Sequence, residues 1–177
     1  MAINKVKGTY DVLPNESHLW QALEHKIREI LGLYNIKEMR TPVMEYSDVF
    51  HRHTELSDMV TKETYDFDDR GNRKLTLRPE GTAGIIRSYV ENKHYTSQEL
   101  EKVYYIGPNF RYERPQKGRY REFYQCDADV VGSDSLLYEV ELVQLFDEVL
   151  SNLGLNDFTI KINNRKILSG IAEITGM

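Results

Sequence analysis

FRYERPQKGRYREFYQCDADV, residues 110–130, is the stretch whose reading decides the fold. Side chains alternate along a strand, so residues of one parity share a face. From Arg119 to Val131 the odd positions (Arg121, Phe123, Gln125, Asp127, Asp129) become polar towards the end, while the even ones (Tyr120, Glu122, Tyr124, Cys126, Ala128, Val130) become apolar. Val103–Glu113 and Arg119–Val131 therefore read as two long strands joined by the basic turn RPQKG. Arg111 and Glu113 share parity and lie across that turn. If both polar sets fall on one face, they form a pocket floor with a guanidinium, an amide and carboxylates. The arginine fork suits phosphate, and the amide and carboxylates suit an ammonium group or ring N–H donors. A polyphosphate with a small amino compound is the implied ligand pair. A solvent-facing strand explains the same alternation, and Gly107-Pro108 is a candidate bulge that would spoil the parity count before it.

Outward from this hairpin the chain is regular. Leu19, Leu23, Ile27, Ile30 and Leu31 form one stripe between Pro14 and Gly32, which predicts an amphipathic helix. Ile36–Tyr46 reads as a strand bent at Pro42, with Ser47 placed to cap a short helix through Phe50 and His53. Thr64–Phe67 and Lys74–Leu77 predict a hairpin across DDRGNR. Behind RPEGT, Ala83, Ile86, Tyr89 and Val90 repeat with helical spacing. A second long helix is expected from Asp134 to Leu153, with Leu142, Phe146, Val149 and Leu153 as its stripe and Gly154 as its stop. Its five acids between Asp134 and Leu150 read as a solvated face. Phe158, Ile160 and Ile162 alternate as a final strand. Consecutive strands, rather than alternating strand and helix, predict an α+β fold: a mostly antiparallel sheet flanked by helices. No linker composition divides residues 1–177.

Length and composition bound the function. At 177 residues and 20.8 kDa, with 40% hydrophobic and 29% charged residues, the chain can bury one sizeable core. No apolar run is long enough to span a membrane, and MAINKVKGTYDVLP has no secretory h-region. The single cysteine, Cys126, fits a reducing cytosol and provides no metal cluster. A net charge of −5 excludes a surface basic all over. Yet Arg111–Arg121 holds five bases against one acid, which leaves −9 for the remainder and suggests a local anion site. In RPEGT, Glu80 and Thr82 flank Gly81 just before a helix, placed either to meet a ligand or to cap that helix. The usual phosphate-loop patterns are absent. His51 and His53 form only a weak metal pair.

RPEGT (78–82) followed by FRYERPQKGRYREFYQ (110–125) resembles the catalytic core of class II aminoacyl-tRNA synthetases, and among these the histidyl-tRNA synthetases. KGTYDVLP (Lys7–Pro14) and RTPVME (Arg40–Glu45) resemble the same family's start and first class motif. The resemblance implies a class II catalytic-core fold and activation of histidine by ATP, followed by transfer to histidine tRNA. By position it implies that Arg111 bridges the amino-acid carboxylate and the α-phosphate, with Arg111 and Gln125 as catalytic residues. Glu113 falls near the adenine amino group, Arg119 near the terminal phosphate, and Phe123 where a ring stacks on adenine. Glu80, Gly81, Thr82 and Gln125 fall at contacts to the histidine ammonium and its surroundings. Asp129 falls where an acidic residue accepts from the imidazole, a position at which some members carry glutamate.

Magnesium is implied by ATP chemistry, with no ligand named. A cytoplasmic homodimer joined around Pro42, without membrane association, is likewise implied. Residues 1–177 then correspond to the N-terminal part of a catalytic domain, without the third motif or the anticodon-binding domain. Impaired adenylation and weak, salt-sensitive tRNA binding are expected of such a piece. The alternative is a histidine-sensing regulatory subunit of ATP phosphoribosyltransferase, which need not keep ATP ligands such as Arg119 and Phe123. Other class II specificities, such as glycine or proline, are disfavoured by the Gln125 and Asp129 pair.

Overall fold

A computed structural model describes residues 3–51, 63–97, 100–164, 169–170 and 174. In chain order the elements are α1 (Pro14–Leu33), β1 (Lys37–Glu38), β2 (Met44–Tyr46), α2 (Asp48–His51), β3 (Tyr65–Asp68), β4 (Lys74–Leu77), α3 (Thr82–Glu91), a 3-10 turn (His94–Thr96), β5 (Glu101–Phe110), β6 (Glu122–Val131) and α4 (Leu136–Asn152). They form two three-stranded sheets, ordered β1-β5-β6 and β2-β4-β3. All pairings are antiparallel except β1 with β5. The α+β expectation holds.

The β5–β6 ladder runs unbroken from Glu101↔Val131 to Phe110↔Glu122. Pro108 pairs in register opposite Tyr124, so the bulge expected at Gly107-Pro108 does not form. One face of this ladder is the core. Tyr104, Ile106, Cys126 and Ala128 pack with Ile27, Ile30 and Leu31 of α1 and with Leu142, Leu145 and Val149 of α4. Pro14 starts α1 at a position where a missing N–H costs nothing. The Ser135 hydroxyl caps α4 by accepting from Leu137 N. Two acids of the solvated α4 face tie the layers together: Glu141 binds Lys102 Nζ at 2.8 Å, and Glu148 accepts from the Tyr34 hydroxyl at 2.7 Å.

The two sheets meet at Arg78. Its amide donates to Val43 O, and its carbonyl accepts from Phe110 N, both at 2.9 Å. Its side chain, 6% exposed, donates to Pro108 O at 2.8 Å and Thr41 O at 3.2 Å. Gly107 makes room for it, since a Cβ there would stand 2.5 Å from Arg78 Nη2.

Several local expectations are corrected. Ile36–Tyr46 is not one strand: Pro42, which has no amide hydrogen, lies between β1 and β2, which join different sheets. The Ser47 hydroxyl hydrogen-bonds the Thr76 hydroxyl rather than capping α2, in which the Phe50 and His51 amides donate to the Ser47 carbonyl. His53 lies outside the described residues. In α3 the buried positions are Gly84, Ile85 and Tyr89, while Ile86 and Val90 are exposed. Ile85 packs on Val103 and Tyr105, so the sheet beneath selects a face one residue away from the expected stripe. Phe158–Ile162 forms no strand. Ile160 and Ile162 are exposed and pair with no ladder among the described residues.

Candidate active site

The opposite face of the same ladder is the floor. Cross-strand register places Val103, Tyr105, Gly107 and Asn109 against Asp129, Asp127, Gln125 and Phe123. The antiparallel course continues beyond the strands, where Arg111 N donates to Arg121 O at 3.0 Å. Arg111, Phe123, Gln125 and Asp129 therefore share one side, as their parity predicts.

RPEGT joins this floor from above. Arg111 Nε donates to Pro79 O at 2.9 Å, which anchors the guanidinium. The Arg111 guanidinium also lies 5.1 Å over the Phe123 ring. Thr82 Oγ1 donates to Asp129 Oδ1 at 3.1 Å. The other carboxylate oxygen, Oδ2, is buried without a hydrogen-bond partner among the described residues. Burial pushes the Asp129 carboxyl upwards, and the nearby Asp127 and Glu80 charges add to this. Asp127 is raised for the same leading reason, burial, although the Tyr105 hydroxyl and Arg111 oppose it.

Glu80 is a helix cap. Its carboxylate accepts from Thr82 N at 2.7 Å and Ala83 N at 2.9 Å, favourably placed at the positive end of α3. The capping alternative thus falls to Glu80, which frees the Thr82 hydroxyl to reach Asp129. Gly81 is required by space. A Cβ there would stand 1.7 Å from the Tyr105 ring, so only glycine lets this loop lie on the sheet.

Towards the turn, Arg119 and Glu113 pair at 3.3 Å, with Arg119 mostly exposed. Arg114 and Lys117 are exposed beside it, and Gly118 turns the chain with φ +79°. The basic island is therefore an open cationic rim at one end of the floor. KGTYDVLP closes the other side of the turn: Arg121 N donates to Gly8 O at 2.7 Å, and Tyr10 packs on Trp20 and Tyr120.

Two floor residues escape a reading based on motifs, Tyr105 and Asn109, and the structural role of Arg78 within RPEGT escapes it too. Tyr105 and Asn109 have the parity of Arg111, a signal obscured by the expected bulge. Of the weak His51 and His53 pair, His53 lies outside the described residues, and His51 Nε2 lies 3.3 Å from Asp66 Oδ1. Among the described residues, no cluster of three or more His, Cys, Asp or Glu is arranged to hold a metal ion. None of the described helices is long and apolar enough to cross a membrane.

With this geometry in view, the sequence profile of the histidyl-tRNA synthetases matches residues 8–177. The chain belongs to the histidyl-tRNA synthetase family. It is 58% identical over 160 residues to the histidine–tRNA ligase of Acholeplasma laidlawii (strain PG-8A), covering 90% of this chain and 38% of that protein. The apo histidyl-tRNA synthetase of S. aureus superposes with a TM-score of 0.75 at 35% identity, over 88% of this chain and 36% of that one. A protein from Bacillus halodurans C, described as an ATP phosphoribosyltransferase regulatory subunit/histidyl-tRNA synthetase, shares the fold. Its TM-score is 0.76 at 21% identity, over 88% of this chain and 39% of that one. The chain thus spans about two fifths of the length of the curated relatives it matches.

Proposed function

We propose that this chain carries the histidine- and ATP-binding floor of a histidine–tRNA ligase, as the N-terminal part of its catalytic domain. The observation that carries the proposal is Asp129. A buried carboxylate oxygen with no partner among the described residues, its twin held by Thr82, suits the ring N–H of an imidazole. An apolar side chain of similar size would leave that acceptor unpaired, so selectivity against look-alikes is strong.

In the reaction, a histidine carboxylate oxygen attacks the α-phosphorus of ATP, the bond to the β-phosphate breaks, and pyrophosphate leaves. Arg111, anchored on Pro79 O, holds the attacking carboxylate and the α-phosphoryl group together and stabilises the charge that grows between them. Phe123 supplies an adenine platform and Glu113 an acceptor for the adenine amino group. Arg119 is set towards the terminal phosphate, and releasing it from Glu113 costs little because an exposed pair contributes only about 0–1 kcal/mol. Magnesium would arrive with ATP. The described residues offer it no set of side chains, and no step here depends on it.

Transfer to histidine tRNA, homodimerisation around Pro42 and a cytoplasmic setting belong to the same proposal. Met44 and Tyr46, both 54% exposed on an edge strand, support the dimer surface.

The test is histidine-dependent ATP–pyrophosphate exchange by this chain and by the longest reading frame that contains it. Exchange with histidine alone among the amino acids supports the proposal. No exchange from either form, with histidine still bound, would favour the regulatory sensor. Unchanged histidine binding in Gln125→Ala and Asp129→Ala would sink the site assignment.

A further inference from the structure

RPEGT grips the end of β5 at two adjacent points. The Arg78 carbonyl accepts from Phe110 N at 2.9 Å, and the next carbonyl, that of Pro79, accepts from Arg111 Nε at 2.9 Å. The backbone just before Arg111 and the Arg111 guanidinium are thus both held by one dipeptide. Pro79 is fully buried and has no amide hydrogen, so no bond of its own N–H fixes this carbonyl. Its position depends on Arg78.

Arg78 is tied on three sides. Its amide donates to Val43 O at 2.9 Å, its Nε to Pro108 O at 2.8 Å and its Nη1 to Thr41 O at 3.2 Å. The guanidinium also lies 5.1 Å from the centre of the Tyr105 ring, the ring against which Gly81 rests. A cation only 6% exposed whose side chain bonds backbone carbonyls is costly to bury, and an apolar side chain of similar volume would serve packing as well or better. What the guanidinium adds is a planar fork that reaches two separate backbone segments at once. Lysine, with one flexible ammonium, cannot reproduce both bonds, and methionine makes neither.

We infer that Arg78 is a positioning residue: it fixes the Pro79 carbonyl, and through it the Arg111 guanidinium, in the place that histidine activation requires. This rests on the ligase reading above. The residue touches no reacting atom and acts only through Arg111.

The test is a double-mutant cycle in the longest reading frame that contains this chain, read as histidine-dependent ATP–pyrophosphate exchange per folded molecule. Arg78→Lys is expected to lower exchange about 100-fold, the effect of misplacing a catalytic group by about 1 Å. Arg111→Ala is expected to lower it about 1000-fold. The double variant should be no slower than Arg111→Ala alone, because Arg78 has nothing left to position. Unchanged exchange in Arg78→Lys would overturn the inference, and so would losses that multiply in the double variant, the mark of general structural damage. If Arg78→Lys does not fold, Gly107→Ala takes its place in the cycle. It keeps the guanidinium but sets a methyl 2.5 Å from Arg78 Nη2, and the same failure to multiply is expected.

If the parent catalyses no exchange, the ligase reading fails, and the anchoring is decided on this chain without ligand. In 15N-labelled protein the Arg111 Nε–H proton should exchange slowly with solvent, and at least about tenfold faster in Arg78→Lys or Gly107→Ala. Fast exchange in the parent, or equal protection in the variants, would overturn the anchoring as well.

Discussion

The two faces of the β5–β6 ladder share one backbone and one set of hydrogen bonds, yet they serve opposite ends. The even positions, Tyr104, Ile106, Cys126 and Ala128, sit under α1 and α4 in an apolar layer. The odd positions carry Tyr105, Asn109, Gln125, Asp127 and Asp129, whose polar atoms are partly or wholly buried. Burial stabilises the first set and penalises the second, since a buried polar group costs free energy unless it is partnered. Cys126 and Asp129 show the contrast. Burial pushes the Cys126 thiol up to about 11, keeping it an inert apolar filler. The same burial leaves Asp129 with an oxygen that has no partner among the described residues. A ten-rung antiparallel ladder can thus separate stability from chemistry by parity alone.

The largest effects should separate the faces cleanly. Arg111→Ala is expected to lower histidine-dependent exchange about 1000-fold in the longest reading frame that contains this chain. Its melting temperature should stay close to the parent's, because Arg111 contributes to stability mainly one bond to Pro79 O. Leu31→Ala should do the reverse. Leu31 is 1% exposed in the helix layer, and its truncation should cost about 3 kcal/mol in urea unfolding. Histidine affinity per folded molecule should stay unchanged. An Arg111 variant that melts early, or a Leu31 variant with altered affinity, would break the division between faces.

Much of this division was legible in the sequence. Alternation in Arg121–Val130 identified both faces, and helical spacing located α1, α3 and α4. What escaped it was decided by space and by side-chain reach. Ile85, rather than Ile86, is buried because α3 lies on Val103 and Tyr105, and no periodicity in α3 alone reveals what lies beneath it. Gly107-Pro108 looked like a break, yet the glycine accommodates Arg78 Nη2 and the proline carbonyl accepts from Arg78 Nε. Both residues are thus used by a side chain some thirty positions away. The Thr82–Asp129 bond spans 47 positions, so no local pattern predicts it, although the family resemblance placed both residues around one ligand.

Gly81→Ala sharpens the comparison where the faces are joined by the RPEGT loop. Its new methyl would meet the Tyr105 ring at 1.7 Å, so the loop must lift or the ring must shift. Overpacking of this kind should cost about 2 kcal/mol. Because the same loop carries Glu80 and Thr82, with Thr82 bonded to Asp129, histidine affinity should fall as well. This makes Gly81 a position where stability and binding decline together, as measured by parallel melts and calorimetry. Loss of stability alone would show that the position of the RPEGT loop does not govern binding.

The smallest effect concerns pH, and its sign follows from Asp129. Its carboxyl is raised in the folded chain, mainly by burial, so folding favours the protonated form. The stability contributed by that form is fully present below the unfolded carboxylate pKa, near 3.9, and is lost as pH rises through the higher folded value. Above that folded value the ionised Asp129 is therefore a net burden on the fold. Asp129→Asn, which keeps the shape and removes the charge, should melt above the parent at pH 7. The gap should close as pH falls towards 4, where the parent's carboxyl is increasingly protonated too. Histidine binding should move the other way, weakening at pH 7, because an amide oxygen is a poorer acceptor for the ring N–H than a carboxylate. A variant that is both less stable and weaker in binding at pH 7 would mean that the Thr82 hydrogen bond to the charged form outweighs its burial. Asp129 would then belong with the stabilising half of the ladder.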